Sequence, residues 1–166
     1  TPVEFDYPDD TSPNGQRNYT YTGSGGVPVG SLINKVIFAL KYQEQRILLS
    51  NLINKDSKIL FERNPRDRVA KVAPWLTLDG DPYPALVDGK IMWIIDGFTT
   101  SAGYPYSRQS VLSNVIADIQ GSATIGAQRN QTVNYIRNSV KATVDAYNGT
   151  VTLYEWNEKD PVLKTW

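Results

Sequence analysis

The sequence contains neither cysteine nor histidine, and a single methionine, among its 166 residues. Without cysteine there is no disulfide frame, no thiol nucleophile and no thiolate metal site. Without histidine there is no Ser-His-Asp triad, no imidazole acid–base catalyst and no His-ligated zinc. Net charge is missing too: 17 basic residues balance 17 acidic ones, which removes the compositional signature of a nucleic-acid or anionic-membrane binder. Long apolar runs are also lacking. The richest segment, Leu32 to Leu49, is interrupted by Lys35, Lys41, Glu44 and Arg46, and falls short of the ~20 apolar residues of a membrane span. The first 30 residues hold no apolar run of signal-peptide length. What remains is 40% hydrophobic and 11% aromatic, enough for a core without covalent staples. No cofactor is expected from these residues.

Residues 1–30 carry the early punctuation: Pro2, Pro8, Pro13, Asn14-Gly15, Gly23-Ser24-Gly25-Gly26 and Pro28. With Glu4, Asp6, Asp9 and Asp10 against Arg17 alone, they predict an extended acidic arm. Residues 31–166 read as one domain. Ser31 is placed to cap a helix over about 32–49, where Ile33, Val36, Ile37, Leu40, Ile47 and Leu48 keep the 3.6-residue period. The polar stretch Gln43 to Gln45 invites a break in it. Ile59 to Phe61 suits a short strand, and Asn64-Pro65 opens a short basic helix stopped before Pro74. Asp160-Pro161 repeats the cap-plus-proline start, with Val162, Leu163 and Trp166 on one helical face. The chain ends one turn later and starts at Thr1, which predicts a piece of a longer polypeptide.

Two β-hairpins organise the second half. Asp88-Gly89 sits between Tyr83–Val87 and Lys90–Phe98, a strong two-residue turn signal. It sets Leu86 opposite Ile91 and Ala85 opposite Met92. A strand apolar at Ile91, Trp93 and Ile95 and also at Met92 and Ile94 is predicted to be central and buried on both faces. Asn148-Gly149 turns a second hairpin, Ser139–Tyr147 with Thr150–Trp156. A two-residue turn there pairs Ala146 with Val151, Val144 with Leu153, and Lys141 with Trp156 as a cation–π contact. Between the hairpins, about 101–131, lies a mobile or partly helical connection, with Val111, Leu112, Val115 and Ile119 at helical spacing. Helices first, hairpins later and no βαβ alternation define an α+β fold, with a mainly antiparallel sheet packed by two to four helices.

Asp79, Asp81, Asp88 and Asp96 fall within 18 residues that hold one base, Lys90. Such carboxylates bind calcium or act as a paired acid and base on glycosides. Turn chemistry accounts for Asp88 and for Asp79-Gly80-Asp81-Pro82, which leaves Asp96 beside Thr99 and Thr100 as a strand-end hydrogen-bond hub or site. Tyr104-Pro105-Tyr106-Ser107, with Trp75, Trp93 and Trp156, offers an aromatic platform for sugars or proline-rich peptides, set against ordinary core packing. The candidate ligand or partner residues are therefore Asp79, Asp81, Asp96, Thr99, Thr100, Tyr104 and Tyr106; none is assigned as catalytic, cofactor-binding or metal-ligating. Gly25-Gly26-Val27-Pro28-Val29-Gly30-Ser31 has phosphate-loop spacing but no lysine after the last glycine, and Pro28 removes an N–H donor. Residues 31–73 carry nine basic and four acidic side chains. Phe61 is the one aromatic stacker near the basic cluster, so a solvated face or a dock for the acidic arm suits them better than nucleic acid.

Several strings in the chain belong together. They are the glycine run at 25–31, Ser57-Lys58-Ile59-Leu60, Arg68-Val69, Ala73-Pro74, Asp81-Pro82-Tyr83, Asp88-Gly89 with Trp93-Ile94, Thr99-Thr100 and Tyr104-Pro105-Tyr106-Ser107. With them go Asn134 to Lys141, Val144-Asp145-Ala146-Tyr147 and Asp160-Pro161-Val162. Together they resemble an uncharacterised family of long multi-pass membrane proteins, found mainly in actinobacteria. The resemblance implies several N-terminal membrane helices and a large extracytoplasmic region, from which this chain would derive. It implies a place on the extracytoplasmic side of the bacterial cell membrane, with the rest of the same protein or an envelope protein or glycan as partner, and not nucleic acid. It carries no activity and no catalytic residue. The function expected is a non-catalytic docking module; the alternative is a carboxylate-dependent enzyme or sugar binder acting on envelope glycans.

Overall fold

The computed structural model describes residues 4–19, 21–50, 53–112 and 131–166. The chain gathers into two compact units, Thr1–Phe61 and Glu62–Trp166. Among the described residues every strand pair lies inside one unit or the other.

In the first unit, β1 (Glu4–Pro8) and β2 (Gln16–Tyr19) form an antiparallel hairpin. Asp9 closes its loop by accepting from the Thr11 N–H at 3.0 Å and the Thr11 hydroxyl at 2.5 Å. β3 (Val27–Pro28) pairs with β4 (Lys58–Ile59), and the Val29 N–H donates to the Ser57 carbonyl. These bonds tie the glycine run to residues 55–59, so the unit boundary lies after Phe61 where composition had placed one near residue 30. They also account for the run: a Cβ at Gly30 would lie 2.4 Å from the Lys55 backbone, a distance that no side chain tolerates. Helix α1 (Leu32–Tyr42) starts at Ser31, whose hydroxyl accepts from the Asn34 N–H. It breaks at Gln43, which adopts φ 53° while the Glu44 N–H reaches the Ala39 carbonyl; α2 (Arg46–Leu49) follows.

The α1 stripe is mostly uncovered. Phe38 and Ala39 are the buried residues of the helix, whereas Ile33, Ile37 and Leu40 are 72%, 53% and 75% exposed. Periodicity identifies an apolar face without identifying what covers it.

In the second unit, Asn64 caps α3 (Pro65–Val72). The main sheet comprises β5 (Thr77–Leu78), β6 (Tyr83–Val87), β7 (Lys90–Ser101), β10 (Tyr135–Asp145) and β11 (Val151–Glu155). A separate short pair joins β8 (Ser110–Val111) to β9 (Thr132–Val133). The order is β11-β10-β7-β5, all antiparallel, with β6 also on β7. The molecule is thus α+β, with three α-helices among the described residues. The helix expected from Val111, Leu112, Val115 and Ile119 falls from residue 113 onward outside the described residues, and Val111 itself lies in β8.

The first hairpin has the predicted register, Leu86 with Ile91 and Ala85 with Met92, around Asp88 and Gly89 at φ 49° and 75°. β7 is central. Its burial is uneven, however: Ile95 is fully buried while Ile91, beside the turn, is 56% exposed. The second hairpin differs in register, with Val144 paired to Val151 and Ala142 to Leu153. The cause is Asp145. Its carboxylate accepts from the Tyr147 and Asn148 N–H groups at 2.8 and 2.9 Å, and these bonds, that from Asn148 foremost, lower its pKa despite its burial. They draw two more residues into the loop. A shift of two keeps every side chain on its face, so Lys141 still lies 5.4 Å from the Trp156 ring although it sits opposite Tyr154.

α3 covers one face of the sheet. Val69, Ala73, Leu76, Leu78, Ile95, Val140, Ala142 and Val144 form the core, with Trp75, Trp93, Val151 and Leu163 packed around them. The basic residues of this region hold the hairpin loop: Arg63 donates to the Ala146 carbonyl and Arg68 to that of Gly149, each at 2.8 Å.

Candidate functional site

Opposite Gly97 and Phe98, β10 carries one residue too many: Asn138 pairs with Phe98 and Val140 with Gly97, leaving Ser139 as a bulge. Ser139, two residues on from Arg137, which pairs with Thr99, faces the side that Thr99 occupies, and both are fully or almost fully buried. Asp160 enters from the C-terminal segment at 0% exposure. One of its carboxylate oxygens accepts short hydrogen bonds from Thr99 and Ser139. The other accepts from the Tyr135 hydroxyl at 2.6 Å and from the Val162 N–H at 2.9 Å. The last of these is a local bond across Pro161 and not the expected helix cap: the segment forms only the 3-10 turn Leu163–Thr165, which starts from Val162 without a side-chain cap.

Burial alone would raise the Asp160 pKa. Hydrogen bonds from Ser139, Thr99, Tyr135 and Val162 outweigh that cost and hold it at about 2. Burial, and then the bond to Asp160, push Tyr135 up to about 12. The pair is therefore a carboxylate that stays ionised and a phenol that keeps its proton. Neither group is poised to exchange a proton near neutral pH, and the arrangement acts as a clasp joining β7, β10 and the C-terminal turn Leu163–Thr165.

The residues predicted from sequence divide around this clasp. Thr99 belongs to it. Tyr104 adjoins it, stacked on Tyr135 with ring centroids 4.6 Å apart and planes 6° apart. Asn134 fixes that loop by accepting from the Tyr104 N–H and donating to its carbonyl. The other candidates lie elsewhere. Asp96 points to the opposite face of the sheet, where it forms an ion pair with Lys141. Thr100, an even-numbered neighbour on β7, shares that face. Asp79 turns back on its own Gly80 N–H at 2.6 Å, Asp81 is exposed in the same turn, and Tyr106 is fully exposed. Asp160, Tyr135 and Ser139 were missing from the predicted set. Asp160 was read only as a helix cap, and its sheet partners stand 61, 25 and 21 residues away, a pairing that leaves no sequence mark. Among the described residues no group of three or more Asp or Glu side chains is placed to hold a metal ion. Nor is any helix there long and apolar enough to cross a membrane.

Comparison with known proteins gives a consistent result. The uncharacterised protein family UPF0182 matches residues 1–166. A UPF0182 protein of Frankia alni is 61% identical over 153 residues, covering 91% of this chain and 15% of that protein. One from an Arthrobacter species is 58% identical, with 98% and 16% covered. One from Mycolicibacterium gilvum is 57% identical over 166 residues, with 100% and 16% covered. The chain thus spans about a sixth of the length of these curated relatives. No solved structure matches it.

Proposed function

Because the chain belongs to the uncharacterised protein family UPF0182, whose members run to about six times its length, we propose that it is a non-catalytic docking module. Its occupant is the rest of the same long polypeptide, on the extracytoplasmic side of a bacterial membrane. The observation that carries this is the α1 face. Leu32, Ile33, Ile37, Leu40 and, beyond the break, Leu49 are all more than half exposed. Apolar surface so concentrated on one short segment marks a contact surface rather than a solvated one. About five-sixths of a relative lies outside this region, and a tethered partner meets the face at high effective concentration. Support for the enzymatic alternative is thin: Asp96 is neutralised by Lys141, and Asp79 is used by its own turn.

The test is capture of residues 1–166 by the separately produced remainder of the full-length polypeptide. The wild-type chain should be captured, and the Ile33→Asp, Ile37→Asp, Leu40→Asp triple variant should lose at least about tenfold in affinity with an unchanged circular-dichroism spectrum. Equal capture of both, or self-association of the isolated chain through α1, would overturn the proposal.

A further inference from the structure

Among the described residues β11 ends the main sheet. Its pairing with β10 fixes which backbone groups face outward. The Asp145 N–H donates to the Thr150 carbonyl and the Trp156 N–H to that of Ser139. In an antiparallel ladder that alternation makes Thr152 and Tyr154 the residues bonded to β10. The N–H and C=O groups of Val151, Leu153 and Glu155 therefore point away from it. Natural sheet edges are commonly blunted by lysine, proline or a bulge. Val151-Thr152-Leu153-Tyr154-Glu155 has none of these, its register with β10 is regular, and its composition favours strand.

Beside this edge lies a pocket of about 330 Å³, lined by Trp75, Val140, Leu153, Tyr154, Glu155, Leu163 and Lys164. Val140 forms part of the core, and Trp75 is stacked on Trp166 at 5.4 Å. Leu153 and Val140 share the core face of the sheet, since Leu153 pairs with Ala142, which is fully buried there. A strand laid against β11 would sit about 4.8 Å from it and send alternate side chains to that same face. One of them would enter the pocket between Leu153, Trp75 and Leu163. The intervening side chains would meet Tyr154 and Trp156, which are 52% and 66% exposed on the other face.

We infer that β11 accepts an added antiparallel or parallel β-strand, an extended segment from the rest of the long polypeptide that places an apolar side chain in the Trp75–Leu163 pocket. The inference rests on the docking proposal above and adds a second contact with its own mode: main-chain hydrogen bonds for affinity and one pocket for selection. The length of polypeptide outside this region in the relatives supplies the occupant.

Hydrogen exchange tests it directly. In the full-length polypeptide, the outward amides of Val151, Leu153 and Glu155 should exchange at least about 100-fold more slowly than in the 166-residue chain alone. The inward amides of Thr152 and Tyr154 should be protected in both. Leu153→Pro removes an outward donor at an edge position where proline is tolerated. It should abolish the added protection while leaving Thr152 and Tyr154 protected. The α1 triple variant should leave β11 protection in place, which separates failure of this contact from failure of the helix contact. Equal exchange in full-length protein and isolated chain would overturn the inference. So would protection that appears in the isolated chain as its concentration rises, because the occupant would then be a second copy.

Discussion

Asp160 concentrates the energetics of a single residue. Replacing it with asparagine leaves three hydroxyls facing a weaker acceptor and removes a charge-assisted network, at a cost of about 2–3 kcal/mol. A urea melt of Asp160→Asn against wild type measures it. The pH dependence has a definite sign. The folded-state pKa of about 2 lies below the ordinary 3.8, so the stabilisation, about 2 kcal/mol, is complete above pH ~4 and drains away as pH falls toward ~2. The gap between wild type and Asp160→Asn should narrow over that interval. Tyr135 behaves oppositely at the alkaline end: raised from 10.0 to about 12, it makes stability fall as pH rises between those values. A second residue-scale contrast concerns two turn glycines. Gly89 and Gly149 have φ near 75°, yet a Cβ at Gly89 meets nothing within 4 Å, whereas one at Gly149 would lie 2.6 Å from the Arg68 guanidinium. Gly89→Ala should therefore cost only the backbone term of about 1 kcal/mol, and Gly149→Ala more, by thermal denaturation.

At the scale of elements, the turns and caps were legible because their chemistry is local. Asp88-Gly89, Ser31 and Asn64-Pro65 each act through neighbours a few residues away. The loop of the second hairpin was misjudged by two residues because the Asn148-Gly149 pair signals a tight turn, while the Asp145 side chain builds a wider one around two N–H groups. Of the Asp160 clasp only the local bond to the Val162 N–H lay within reach of the sequence, since the other partners meet through tertiary structure. The α1 stripe was legible as an apolar face, but its period does not distinguish an exposed face from a buried position such as Ile95. That difference makes a prediction. Ile95→Ala, at a fully buried position, should lose about 3–4 kcal/mol, whereas Ile37→Ala, more than half exposed, should stay within about 0.5 kcal/mol. Chemical denaturation of the two variants in parallel decides the matter.

For the whole molecule, each strand pair formed by the described residues is internal to one of the two units. The core cluster, the clasp and the edge strand all belong to Glu62–Trp166. That segment alone should keep its sheet and unfold in one cooperative transition, as a domain of its size does. Coincident fluorescence and circular-dichroism transitions would establish it, and separated transitions would show that the sheet needs residues before Glu62.

The clasp also fixes how the second unit bears tension. Asp160 is fastened to both central ribbons at once through its side chain. A pull applied through the C-terminus meets that carboxylate before it reaches β11, and the bonds from Thr99, Ser139 and Tyr135 share the load and must yield together. An anchorage built this way resists traction and gives abruptly.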